Sequence, residues 1–122
     1  MVEVEVAQQP EGHVLVRLAG EIDMSDGAPV QQAFRHAFAA DGAAVVVDLC
    51  GVRFLAVAGV RWVDAAVGAL RDRGCTVRVV CADRGPVWRI VCLLGLDRRW
   101  PVHHDLTLAV ASLRLDDGEP GG

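Results

Sequence analysis

The sequence predicts a single α/β domain with a mostly parallel or mixed sheet, and three observations support this. The chain has 122 residues, 52% of them apolar and 23% charged, as in an ordinary soluble globular domain. Apolar runs of strand length alternate along it with longer runs whose apolar residues recur every three to four positions. Glycine and proline separate these runs. Strands that alternate with helices are typical of such a sheet with helices packed on it.

The first third of the chain predicts a hairpin followed by a helix. Valine alternates with glutamate over residues 2–6, and a second alternating run spans residues 14–18. The turn at residues 9–12 makes the two strands antiparallel neighbours. Ser25 or Asp26 can cap the first helix. Its apolar stripe comprises Val30, Ala33, Phe34, Ala37 and Phe38.

The middle of the chain predicts a central strand, a second helix and a further strand. Residues 44–49 are apolar up to Asp48, which indicates a strand covered on both faces. The helix spans residues 60–70, and Gly74 ends it. Residues 76–80 form the next strand.

The last third predicts two helices around a short edge strand. The third helix begins at Pro86 and ends at Gly95, and the edge strand covers residues 100–102. Asp105 caps the fourth helix. Residues 1–115 are thus expected to form the domain, and residues 116–122 a flexible C-terminal tail. Inward positions of the last two helices are Val87, Ile90, Val91, Leu94, Leu106, Ala109, Val110 and Leu113. Six residues predicted to be buried are Val46, Leu49, Val63, Val67, Ile90 and Val91.

Composition and motifs argue against several classes of function. The formal charge is −4 with no basic stripe, so we expect no nucleic-acid partner. No targeting segment or apolar run of about 20 residues occurs, so we expect a cytoplasmic protein without direct membrane contact. The four cysteines lie in or beside apolar runs and are predicted to be buried, reduced thiols.

No pattern of catalytic or metal-binding residues appears in the sequence. His103, His104 and Asp105 are adjacent, point in divergent directions and lack a third ligand partner, so no metal site is predicted. Neither Ser25 nor Ser112 lies in a nucleophile motif, and no glycine-rich phosphate loop is present. We therefore expect no catalytic residue, no cofactor and no enzymatic activity.

The junction at residues 54–60 is the most informative segment. It joins the predicted central strand to the second helix, and a helix N-terminus offers free N–H groups and a positive dipole end. Such a junction is the usual place for an anion or a phosphorylated hydroxyl. This one contains no Ser, Thr, Asp or Asn.

Three segments resemble the STAS family of anti-sigma factor antagonists. Residues 18–23 read Leu-Ala-Gly-Glu-Ile-Asp, residues 45–49 read Val-Val-Val-Asp-Leu, and residues 95–102 begin Gly-Leu and end Trp-Pro-Val. Their order and spacing are similar to the family pattern over nearly the whole chain. The resemblance implies a single STAS-like domain with the element order β-β-α-β-α-β-α-β-α.

In the family this junction reads Asp-Ser-Ser/Thr-Gly, and the second hydroxyl is phosphorylated. The matching positions here are Ala56, Val57, Ala58 and Gly59. The resemblance implies that the partner is an anti-sigma factor of the ATP-binding Ser/Thr kinase type. Because Ala58 cannot accept phosphate, we expect a protein that sequesters this partner without phosphorylation control at the usual loop. The alternative is an accessory STAS subunit of a transporter or of a stressosome-like assembly.

The predicted partner surface extends beyond the junction to Asp23, Arg61 and Trp62. The resemblance places Asp23 near the junction, although its carboxylate could equally be a solvated turn residue before the first helix. Trp62 lies off the centre of the core stripe, where it could anchor a partner or pack at the helix edge. Gly59 could instead serve only close packing.

Overall fold

The fold is built on one five-stranded sheet, seen in a computed structural model that describes residues 1–38 and 43–118. The strands lie side by side in chain order: β1 (Val2–Gln8), β2 (Val14–Ile22), β3 (Ala44–Leu55), β4 (Thr76–Val80) and β5 (Val102–His103). β1 is antiparallel to β2, and the other pairs are parallel. The predicted mixed sheet and element order are therefore confirmed.

Helices cover the sheet unequally on its two faces. They are α1 (Gly27–Phe38), α2 (Val57–Asp72), α3 (Pro86–Leu93) and α4 (Leu106–Gly118), with short 3₁₀ helices at Met24–Asp26 and Leu96–Arg98. The first three helices share one large apolar core with the sheet. α4 closes a second, smaller cluster with Leu15, Val46 and Val80, whose side chains point to the opposite face.

The predicted core agrees with the structure at five of its six positions. Val46, Leu49, Val63, Val67 and Val91 are buried. Ile90 is only partly buried, at the margin of the core. The prediction for Leu94 was wrong, because α3 ends at Leu93 and Leu94 is 49% exposed at the helix C-cap.

The largest correction concerns the length of β3 and the start of α2. β3 continues to Leu55 instead of ending at Leu49, and its pairing with β2 continues to Ile22. Gly51 lies inside this longer strand. A Cβ at Gly51 would lie only 2.9 Å from the Cβ of Ala19, so the residue is a glycine because the two strands approach closely there. α2 begins at Val57 instead of residue 60, which leaves Ala56 as the whole connection.

The cap of the first helical segment also differs from prediction. Asp23, rather than Ser25 or Asp26, is the N-cap of the 3₁₀ helix Met24–Asp26, which leads directly into α1. In the predicted α1 stripe, Val30, Ala33, Phe34 and Ala37 are buried, and the side chain of Phe38 lies outside the described part.

The last part of the chain contains one further difference and one confirmed helix cap. β5 covers Val102–His103 at the sheet edge, and Trp100, predicted to begin that strand, is instead buried before it. Asp105 does cap α4, since its Oδ1 accepts a hydrogen bond from the backbone N–H of Leu108 at 3.1 Å. The α4 backbone is helical to Gly118, and residues 119–122 of the predicted tail lie outside the described residues.

The cysteine prediction was half correct. All four are free thiols, but Cys50 and Cys92 are exposed and only Cys75 and Cys81 are buried. Cys50 lies on β3 after the buried Asp48, whose Oδ1 accepts its backbone N–H at 2.9 Å. Partial burial and Asp48 raise the pKa of the Cys50 thiol to about 11, which keeps it protonated at neutral pH.

Candidate partner-binding site

The candidate site lies at the carboxyl ends of the parallel strands β2 and β3. Ile22 and Leu55 are paired across these strands, and the backbone N–H of Ala56 donates to the carbonyl oxygen of Ile22 at 2.9 Å. Asp23 follows Ile22 directly, so the structure brings Asp23 close to the start of α2. Carboxyl ends of parallel strands are the usual location of binding sites in α/β sheets.

The N-terminus of α2 has no side-chain cap. Ala56, the N-cap residue, has an extended backbone (φ −69°, ψ 158°) and a methyl group that offers no hydrogen bond. The first N–H groups of any α-helix lack a partner inside the helix. Val57 and Ala58 form this first turn, with Val57 exposed and Ala58 half-buried. The turn therefore presents backbone donors and small or apolar side chains.

Gly59 has a packing role at this junction. It is buried, and a Cβ there would lie 2.8 Å from Cγ2 of Ile22 and 2.9 Å from Cδ1 of Leu55. Such distances are too short for any side chain, so glycine lets α2 seat directly on the ends of β2 and β3. Gly59 thus fixes the position of Val57 and Ala58 and supplies no exposed side chain itself.

Asp23 is held in place by its own hydrogen-bond network. Its Oδ1 accepts from the Ser25 hydroxyl at 2.6 Å and from the Ser25 backbone N–H at 2.9 Å. In return, Oδ2 of Asp26 accepts the Asp23 N–H at 2.9 Å, which completes a capping box. These bonds from Ser25 lower the pKa of the Asp23 carboxyl below its ordinary value. Asp23 is a capping residue as well as a neighbour of α2.

Three exposed apolar side chains flank the junction. Met24 is 80% exposed, and Phe54 and Val57 are each 54% exposed. Met24 and Phe54 were not predicted as site residues. Strand alternation does not reveal Phe54, because past Gly51 the buried residues are Val52 and Leu55, and both Arg53 and Phe54 between them are exposed. Exposed apolar side chains beside a binding edge are typical of interaction surfaces.

Trp62 and Arg61 lie on the second turn of α2. The Trp62 ring packs closely on Gly27 at the start of α1, where a Cβ would lie 2.9 Å from Cζ2 of the ring. Trp62 remains partly buried and Arg61 is exposed. This position fits both hypotheses for Trp62, as an anchor for a partner and as a residue that packs at the helix edge. One edge of the ring packs against α1, and the other is accessible.

Across residues 1–38 and 43–118, no group of three His, Cys, Asp or Glu side chains could hold a metal ion. His104 accordingly has a local role: its Nδ1 lies 3.0 Å from the carbonyl oxygen of Cys81, and its ring contacts the edge of Trp88. No helix in the described part of the chain is both long and apolar enough to span a bilayer.

Fold and candidate site together define a small α/β domain in which the ends of β2 and β3 meet the N-terminus of one helix. The family model described as "Mlab, STAS domain" matches residues 5–110, so the chain belongs to the STAS domain family. It is 29% identical over 109 residues to the anti-sigma-F factor antagonist RsfB of Mycobacterium tuberculosis, covering 86% of this chain and 87% of that protein.

Solved structures show the same fold. An anti-sigma factor antagonist from Mycobacterium paratuberculosis superimposes with a TM-score of 0.82 at 29% identity, covering 93% of this chain and 95% of that one. The Bacillus cell fate determinant SpoIIAA in its phosphorylated form gives a TM-score of 0.60 at 16% identity, covering 91% and 99%. At that lower identity the likeness concerns the fold alone.

Proposed function

We propose that this protein is an anti-anti-sigma factor: it binds and sequesters an anti-sigma factor through the edge formed by Asp23 and the first turns of α2. The single observation that carries the proposal is the uncapped N-terminus of α2 flanked by exposed apolar side chains. The similarity to the M. tuberculosis antagonist over most of both chains supports the same function.

The proposed partner is an anti-sigma factor of the ATP-binding Ser/Thr kinase type. In a family member with a serine at the position of Ala58, phosphorylation would add about −1.5 to −2 charges at neutral pH. That charge would lie at the centre of the proposed interface and disfavour binding. Ala58 is uncharged and small, so the surface corresponds to the unmodified, binding-competent form. Binding would take place in the cytoplasm and would not be reversed by phosphorylation at residues 54–60.

The site residues of the proposal have distinct roles. The centre of the contact consists of Ala56, Val57 and Ala58. Gly59 fixes their position by packing on the ends of β2 and β3. Arg61 and Trp62 extend the surface along α2, and Asp23 forms its rim next to the exposed Met24. Phe54 adds an apolar contact from the end of β3.

The test begins with affinity purification of the full-length tagged chain from its native cytoplasm, followed by recombinant expression of any anti-sigma factor recovered. We expect calorimetry with the purified pair to show a specific complex. Recovery of a transporter ATPase and permease in place of an anti-sigma factor would contradict the proposal and favour the accessory-subunit alternative.

A second experiment tests the loss of phosphorylation control. The chain has four aliphatic hydroxyls, at Ser25, Thr76, Thr107 and Ser112. Among them, Ser25 lies next to Asp23 of the proposed site. We expect incubation with the purified kinase-type partner and ATP to add no phosphate to residues 54–60, as measured by intact mass and peptide mapping. Stoichiometric phosphate on Ser25 would instead show a relocated switch.

A further inference from the structure

A groove between α1 and α2 continues the candidate surface away from the sheet edge. It has a volume of about 330 Å³, and its lining includes Gln31, Phe34, Arg35, Trp62, Ala65 and Ala69. Phe34 is buried and forms the floor. The alanines of α2 leave space where larger side chains would close the gap between the helices. The groove can therefore receive a side chain from outside.

Trp62 joins the groove to the candidate partner-binding site. Its ring forms the end wall nearest the first turn of α2, and its contact with Gly27 fixes the ring against α1. A partner that contacts Ala58 and Arg61 along α2 meets this groove within the next turn. Partly exposed tryptophan side chains are common anchor residues in protein interfaces.

The charge around the groove is opposite in sign to that of the whole protein. The chain carries 16 acidic and 12 basic residues, yet none of the described lining residues is acidic. Arg35 lies in the lining, and Arg61 is exposed one turn before Ala65. Within the part of the chain that the structure describes, neither arginine takes part in an ion pair. An acidic segment would find uncompensated positive charge here.

We propose that the α1–α2 groove receives an apolar side chain of the anti-sigma factor, from a segment that carries a carboxylate beside it. The apolar side chain packs on Phe34 and Trp62, and the carboxylate meets Arg35 or Arg61. The inference rests on the proposed function and adds to it the chemistry of the partner segment. An amphipathic segment lying in a groove between helices is a common mode of recognition.

Two adjacent glutamines of α1 give a matched pair of variants. Both are exposed, but Gln31 lines the groove, whereas Gln32 lines a separate depression between α1 and β1. Gln31→Glu and Gln32→Glu add the same charge with almost no change of shape. We expect Gln31→Glu to weaken binding of the purified anti-sigma factor about threefold or more, and Gln32→Glu to bind like the wild type.

A second variant tests the apolar part of the groove. Ala65 is exposed on α2, so Ala65→Leu should preserve the helix while it fills the space that the partner side chain needs. We expect about tenfold weaker binding with an unchanged melting curve. A photo-crosslinker at position 65 should attach to an acidic, apolar segment of the anti-sigma factor, and one at position 32 should not.

The Ala58→Glu variant separates failure of this inference from failure of the proposed function. If Ala58→Glu abolishes binding while Gln31→Glu and Ala65→Leu bind normally, the groove is not used and only the inference is overturned. If the wild-type chain does not bind an anti-sigma factor, both are overturned. A wild-type chain that sediments as a dimer and becomes monomeric on Ala65→Leu would show that a second copy of this chain occupies the groove, which also contradicts the inference.

Discussion

Asp23 at the end of β2 and Ala56 at the end of β3 occupy corresponding places in the fold, each directly before a helical segment. After β2, Asp23 and Asp26 form a capping box, and Oδ1 of Asp26 also accepts the N–H of Val2 at 3.3 Å. After β3, Ala56 offers α2 no side-chain hydrogen bond. The two strand ends are neighbours, and only one of them is capped.

This difference shows that α2 is stabilised by its buried face instead of its N-terminus. Val60, Val63, Val67 and Leu70 form a continuous buried stripe along it. An N-cap side chain typically contributes about 1 kcal/mol, and α2 lacks that contribution. The first turn of α2 therefore has no side chain bound to its backbone N–H groups, as the proposed interface requires.

The capping box after β2 gives the largest expected effect on stability. Asp26 is buried and accepts the backbone N–H groups of Asp23 and Val2, so Asp26→Ala leaves two donors without their partner. We expect the free energy of unfolding to fall by about 2–3 kcal/mol. Urea denaturation measures this change. An unchanged midpoint would show that these hydrogen bonds do not stabilise the connection between β2 and α1.

The buried stripe of α2 gives the next largest effect. Val67 is 2% exposed, and Val67→Ala removes two methyl groups from the core. We expect a loss of about 1–3 kcal/mol. The matched control is Ala65→Ser on the exposed face of the same helix, which should change stability little. Equal midpoints for Val67→Ala and the wild type would contradict the idea that the stripe holds α2.

Adding the missing cap should have a smaller effect of opposite sign. The extended backbone of Ala56 already suits an N-cap residue. Ala56→Asp should therefore stabilise the fold by about 0.5–1 kcal/mol, with a higher melting temperature. A destabilised variant would mean that the N–H groups of α2 are not available.

The smallest effect is the pH dependence that Asp23 contributes. Because Ser25 lowers the pKa of Asp23 in the folded protein, its charge stabilises the fold above the ordinary pKa of 3.8, and this contribution is lost as pH falls through the lowered value. Asn is a good N-cap without the charge. Asp23→Asn should be slightly less stable than the wild type near neutral pH and equal to it in strong acid. A constant difference across this pH range would exclude a role for the charge.

The sequence allowed the fold to be predicted well because its signals are local. The five strands, the four helices and the cap at Asp105 all follow from periodicity and from punctuation by glycine, proline or aspartate. The length of β3 was predicted wrongly because it depends on a contact between elements. The predicted strand ended at Leu49, whereas β3 continues through Gly51, where Ala19 on β2 approaches closely. No local pattern in β3 contains that information.

The candidate site was predicted less completely for the same reason. The sequence located the junction between β3 and α2, but the exposure of Met24 and Phe54 beside it was not predicted, because it depends on where β2 and β3 end in space. The groove at Trp62 depends on the packing of α1 against α2, which the separate helix patterns do not specify. The roles of Ala58, Arg61 and Trp62 in binding remain predictions.

The most direct test of the account is the affinity of Ala58→Glu for the purified anti-sigma factor. A carboxylate in the first turn of α2 is tolerated or favourable by about 0.3–1 kcal/mol in the free protein, but it is costly to bury unpaired in an interface. Calorimetry should show at least about tenfold weaker binding for a variant that melts like the wild type, while Ala58→Ser binds normally. Unaltered affinity of Ala58→Glu would place the binding surface elsewhere and contradict the account.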